Sequence, residues 1–312
     1  MNNNPAVIKA NLDKAIEDLA ASPEIFSKNP KSDFTRSRKL PVSDVPRFPI
    51  LMERDSADME LLKYFNYGLD STPAQSAYIQ QRSKLIPGTF KMLLDRFNGT
   101  IRTAAYQGKY ILYGVDGSGF NIAYNPDDPD TFNPPSGKSK PGTNELHVVA
   151  SYRLTNHIFT DAVIQPCRKK NEHPAVCGLT VERIVTRSHA KKTVPIRRLL
   201  KCTGMLDRNT KFDYMEPGSS DEYPLTLRVA RINIAGGRYE NLITDLPADE
   251  FDTKALRALY YIQWGLETAS RYLEHAVGAQ DFHCKSFENV THEVWARLIL
   301  FNCCSAITAL AV

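Results

Sequence analysis

Apolar residues recur every three or four positions near the start of the chain, where Val7, Ile8, Leu12, Ile16 and Leu19 share one face of a helix that Ser22-Pro23 closes. A short second element follows around Phe26. The helical period returns at 59–65, in a run that starts at Thr72-Pro73-Ala74-Gln75 and carries Tyr78, Gln81, Arg82 and Lys84 before Pro87, and at 90–97. These runs predict an α-helical N-terminal region over residues 1–100. Two of its short helices, joined at Tyr67-Gly68, resemble a helix-turn-helix.

The pattern changes after Gly108. Residues 109–115 form a β-rich apolar run that ends at Asp116-Gly117-Ser118-Gly119. Asp116 is then either a carboxylate delivered to a sheet edge or part of an Asp-Gly turn between two strands. A Pro-, Asp- and Gly-rich loop at 125–143 leads to strands at 147–154 and 157–165 joined by Thr155-Asn156, which together describe an antiparallel meander. Segments 225–234 and 238–244 read as a hairpin across Gly236-Gly237.

Residues 259–278 read as one helix ended by Gly278, with Gln263, Glu267, Arg271 and Glu274 on a stripe beside the apolar one. Taken alone, Glu267 and Arg271 are an i,i+4 surface pair. The apolar run from Val294 onward is interrupted by Arg297 and Asn302 and has no charged flank, so it predicts a buried helix rather than a membrane span. The chain stops inside that run, which reads as a truncated end.

Composition narrows the class. The 312 residues are 42% hydrophobic, enough to bury one large core or two ordinary ones, and the pattern is that of a globular chain. The net charge of +4 and pI near 8.6 are only mildly basic, so nucleic-acid affinity would have to come from clusters. One such cluster is Arg36, Arg38 and Lys39. A second spans 168–201, where ten basic residues stand against two acidic ones and which reads equally as solvated surface; the first cluster, with no partner helix, reads rather as solvated surface. The six cysteines show no repeated spacing, and Met-Asn-Asn-Asn-Pro lacks the features of a signal peptide. A reduced cytoplasmic protein with free thiols is expected. Cys167, His173, Cys177 and His189 lack the close cysteine spacing of a zinc site.

Several stretches together resemble the insertion-sequence-4-like DDE transposases of bacteria. They are Asp33-Phe34-Thr35-Arg36-Ser37-Arg38-Lys39-Leu40-Pro41, Gln80-Gln81-Arg82-Ser83-Lys84-Leu85, Val115-Asp116-Gly117-Ser118, Asn241-Leu242-Ile243-Thr244-Asp245-Leu246-Pro247 and Gln263-Trp264-Gly265-Leu266-Glu267-Thr268. Each is short; their order covers nearly the whole chain. The resemblance implies an α/β fold with an RNase H-like core over 101–290, a β-rich insertion at 178–245 and a buried C-terminal helix at 291–312.

It also implies that two Mg²⁺ or Mn²⁺ ions, held by two Asp and one Glu, drive attack on a DNA phosphodiester. Asp116 matches the first aspartate and Glu267 the glutamate, which makes them the expected catalytic and metal-binding residues. The expected DNA contacts are Arg36, Arg38, Lys39, Arg82, Lys84, Tyr260, Gln263 and Arg271. The expected partners are terminal inverted repeats and target DNA, with a homodimer in a synaptic complex, DNA-associated in the cytoplasm and away from membranes.

Two departures weaken the activity this implies. Ala175-Val176-Cys177 runs into Gly178-Leu179-Thr180 without the segment that carries the second aspartate, so a central strand and helix are expected to be missing near 175–178. The pattern Tyr-x2-Arg-x3-Glu-x6-Lys stands here as Tyr260, Gln263, Glu267 and Glu274, with both basic positions replaced. A degenerate transposase is expected, with a catalytically inactive DNA-binding remnant as the alternative.

Overall fold

Asn4 caps the first helix: its Oδ1 accepts the Ala6 N–H at 3.0 Å, and Pro5 takes the first helical position, where a missing N–H costs nothing. In the computed structural model, residues 4–36, 39–136, 141–170, 228–275 and 282–310 are described. The first helix, α1 (Pro5–Ala20), buries Leu12, Ala15, Ile16 and Leu19. Val7, expected on the same face, is exposed because the buried stripe begins one turn later.

Four further helices complete the N-terminal region: α2 (Asp44–Leu51), α3 (Ala57–Tyr64), α4 (Gln75–Arg82) and α5 (Thr89–Asn98). Ser56 caps α3 from its side chain, and Phe90, Leu93, Leu94 and Phe97 give α5 its buried stripe. The pattern did not reveal α2, which holds Pro46 and Pro49 yet buries Val45, Phe48 and Ile50.

The sheet that follows has four strands among the described residues, β1 (Tyr113–Ile122), β2 (Phe132–Asn133), β3 (Thr143–Arg153) and β4 (Ile158–Pro166). All of its pairings are antiparallel. β1 runs along one edge of β3, with Asp116 opposite Ala150, and β4 runs along the other. Asn144 pairs with both Ile122 and Phe132, so β2 continues the β4 side. The expected meander is therefore present. The expected strand end at Val115 is not, since β1 continues through Asp116-Gly117-Ser118-Gly119 to Ile122.

The last helix, α7 (Phe287–Thr308), is buried nearly all round and packs against α1, α2, α5 and β4. Phe301 meets Phe159 and Tyr152 edge-on at 4.9 and 6.2 Å. Asn302 clasps the start of β4: its Oδ1 accepts the Phe159 N–H at 2.8 Å, and its Nδ2 donates to the Phe159 carbonyl at 2.7 Å. Asn98 of α5 donates to the same carbonyl at 2.9 Å.

The chain divides into two compact units, Met1–Val181 with Gln263–Val312, and Glu182–Ile262. The described part of the second unit holds β5 (Arg228–Asn233) and β6 (Tyr239–Thr244), the expected hairpin, with Gly236 and Gly237 at φ of 77° and 72° in the connection. Helix α6 (Thr253–His275) follows. The chain thus mixes α-helices with antiparallel sheet. Among the described residues, no helix is long and apolar enough to cross a membrane.

Candidate functional site

Asp116 lies in the middle of β1, exposed, and its Oδ1 accepts the Gly117 N–H at 2.8 Å. It is neither at a strand end nor in a turn, because pairing with β3 continues for six residues beyond it. Glycine at 119 leaves room for the Glu145 carboxylate. A Cβ there would lie 1.7 Å from Oε1 of Glu145, whose other oxygen accepts from Asn133 Nδ2 at 3.0 Å.

Glu267 is exposed on α6, whose buried side is Leu266, Ala269 and Leu273. Leu266 sits on Gly114: a Cβ added to that glycine would be 3.0 Å from Leu266 Cδ2. Gly114 and Asp116 are two residues apart on one strand and so share a face of the sheet. The residue before Glu267 therefore packs on the strand position one step along that face from Asp116. Gln263, Glu267 and Arg271 form the expected exposed stripe. No ion pair joins Glu267 to Arg271 among the described residues, so the simple surface-pair reading of this helix is not realised.

Two divalent ions need several convergent oxygen ligands. Among the described residues, no three His, Cys, Asp or Glu side chains are grouped to hold a metal. Asp116 and Glu267 alone do not fit a two-metal centre. The expected break near 175–178 lies outside the described residues, as do His173, Cys177 and His189. Cys167 donates its thiol to the Thr131 carbonyl at 3.1 Å, and burial pushes its pKa up, which disfavours the thiolate a metal needs. Cys167, Cys284, Cys303 and Cys304 are free thiols.

The expected DNA contacts separate into different environments. Arg36, Gln263 and Arg271 are exposed, and Arg38 lies outside the described residues. Lys39 is exposed and donates to the Asp70 carbonyl at 2.6 Å. Lys84 is half-buried, donating to Gln81 Oε1 at 3.0 Å with its ammonium 5.4 Å from the Phe34 ring. A bridge between Ser27 and Leu85 places Lys28 beside it, where Lys28 pairs with Glu288 at 2.7 Å. Tyr260 is half-buried, its ring 6.0 Å from that of Tyr261.

Arg82 is a correction. It is 1% exposed and cannot reach a phosphate. Its Nη1 bonds Glu293 Oε1 at 3.1 Å and Cys284 Sγ at 3.3 Å, and its Nη2 donates to the Asn289 carbonyl. Glu293 also accepts the His283 N–H at 2.8 Å. Burial pushes the Glu293 pKa upward, but bonding from His283 and the Arg82 charge outweigh it and hold the carboxyl down to about 2. Burial of the neighbouring Cys284 drives its thiol up to about 12.

The helix-turn-helix reading loses its support with Arg82. Residues 65–74 separate α3 from α4, with Asn66 and Tyr67 at positive φ. The outward side of α4 shows Ser76, Ile79 and Gln80, with no cation for a phosphate.

Sequence reasoning missed the partnership of Arg82 with Glu293 and the role of Asn302. The available signal was the polar residues Glu293, Arg297 and Asn302 inside an otherwise apolar helix, since such groups are buried only with partners. No family model, curated protein or solved structure matches the chain.

Proposed function

We propose that this chain is a degenerate DDE transposase of the insertion-sequence-4-like type, which retains DNA binding and has lost cleavage. The carrying observation is the contact of Leu266 with Gly114, which sets the Glu267 segment of α6 on the Asp116 face of β1. An antiparallel meander bearing an aspartate on its first strand, with a glutamate-bearing helix laid against that strand, suits an RNase H-like core. The lack of a third grouped carboxylate among the described residues, together with Gln263 and Glu274 at basic positions of the family pattern, supports loss of chemistry.

In this reading the exposed cations Arg36, Lys39 and Arg271 contact phosphates, and the DNA is that of a bacterial mobile element. The test uses purified full chain and a supercoiled plasmid carrying the DNA that flanks its reading frame. No nicked product is expected with Mg²⁺ or Mn²⁺, while the same DNA is retained in gel shifts with a steep salt dependence. Metal-dependent nicks that vanish in Asp116→Asn would make the chain an active transposase. No retention even at low salt would remove the DNA-binding role.

A further inference from the structure

The β5–β6 hairpin has two unlike faces. One carries Ala230 and Ile232, which are buried, continued by buried Ile234 just beyond β5. The other carries Val229, Arg231, Asn233, Tyr239 and Asn241, all exposed, with half-buried Ile243 opposite Val229, and bears no carboxylate. Glu240 pairs with Ile232 and belongs to the first face. Val229 and Tyr239 are 52% and 54% exposed, an apolar and aromatic investment that solvent alone does not explain on a short two-stranded ribbon.

The polar groups of this face are uncommitted. Among the described residues, no side-chain hydrogen bond or ion pair engages Arg231, Asn233 or Asn241, nor Arg238 at the tip. Arg231 is nevertheless held in place: its guanidinium lies 4.4 Å from the centroid of the Tyr239 ring. The guanidinium packs over that ring, on the exposed side of the ribbon. Less conformational freedom is then lost when the guanidinium binds.

We infer that the outward face of this hairpin reads base edges in the major groove of duplex DNA, with Arg231, Asn233 and Asn241 as the specificity-determining residues. A two-stranded ribbon has the width that the groove admits. Arginine offers a fork to the paired acceptors of guanine, and asparagine offers the donor and acceptor that match adenine. Tyr239 orders Arg231 and acts as a positioning residue, and Arg238 at the diglycine tip meets backbone phosphate. The absence of carboxylates removes the repulsion that would oppose entry into the groove. This inference rests on the DNA-binding reading and adds sequence discrimination to it, through residues other than the cations named there.

The test is selection of full-length protein on random-sequence duplexes, followed by affinity measurements on the enriched duplex and on a scrambled one. The wild type is expected to enrich a short motif. Arg231→Ala and Asn241→Ala should each weaken binding to the enriched duplex roughly 5- to 150-fold while changing affinity for the scrambled one little. Arg231→Lys keeps the charge and loses the fork, so it should lose discrimination and keep most of the affinity for scrambled DNA. All these positions are exposed, so folding is preserved. If the wild type binds DNA but the hairpin variants select and bind as it does, the groove-reading role is overturned and the DNA-binding reading stands. If the wild type binds no duplex at all, both fail.

Discussion

Arg82 and Glu293 form an ion pair from which water is excluded, with Nη1 and Oε1 3.1 Å apart and side chains 1% and 2% exposed. The pair ties the end of α4 to the first half of α7. Removing one partner leaves a buried charge uncompensated, so Arg82→Met or Glu293→Gln is expected to cost about 3–5 kcal/mol in denaturant unfolding. The double variant Arg82→Met, Glu293→Leu should cost clearly less than the sum. A DNA-contact role for Arg82 would instead give weaker DNA binding at unchanged stability.

His292 neighbours this pair on α7, buried with its ring 5.1 Å from Phe90. Burial, reinforced by the Arg82 charge, lowers its pKa from the ordinary 6.5 to about 4. The fold therefore prefers neutral imidazole. The stability this gives is complete above the unfolded value of 6.5 and is lost as pH falls from there through about 4. The loss is on the order of 3 kcal/mol. Glu293, held at about 2, adds a second loss of the same sign at lower pH. Melting temperatures taken across pH 4 to 7 should drop toward the acid end, and His292→Phe should flatten that drop.

Gly114 admits Leu266 because it has no side chain. A methyl at that position would stand 3.0 Å from Leu266 Cδ2 and 3.5 Å from Leu154 Cδ2. Gly114→Ala should cost about 1–2 kcal/mol by overpacking. Combining it with Leu266→Ala should recover part of that loss in a double-mutant cycle, because the second change removes the obstructing group.

Asp116 and Glu267 are exposed and are joined to no third acidic group among the described residues. Asp116→Asn and Glu267→Gln are expected to change stability by less than about 0.5 kcal/mol. Mn²⁺ should leave the melting temperatures of the wild type and of either variant unchanged. A rise confined to the wild type would reveal a metal site at these carboxylates.

The β3–β4 and β5–β6 pairs were legible because a short turn between two β-rich runs encodes both strands locally. The Gly236-Gly237 connection supplies the positive φ that such a link requires. The end of β1 was not legible. Gly117, Ser118 and Gly119 carry turn chemistry, but ten residues of pairing with β3 override it. Helix α2 was hidden by Pro46 and Pro49, and it is held by the tertiary burial of Val45, Phe48 and Ile50 rather than by propensity.

At the candidate site, sequence placed Glu267 on a helix, as found, but ended the strand at Asp116, which lies within β1. It could not show which cations face outward. Arg82 and Lys84 stand two positions apart in one motif, yet Arg82 meets a partner 211 residues away while Lys84 stays near the surface. Burial of a charge is decided by what folds against it, and no local pattern records that.

The amide of Asn302 occupies both backbone groups of Phe159 at the start of β4, where an incoming strand would otherwise find an open donor and acceptor. A second molecule cannot extend the sheet across that position. If two copies come together on DNA, they cannot do so by strand pairing at this corner, which is closed to functional assembly and to fibril growth alike.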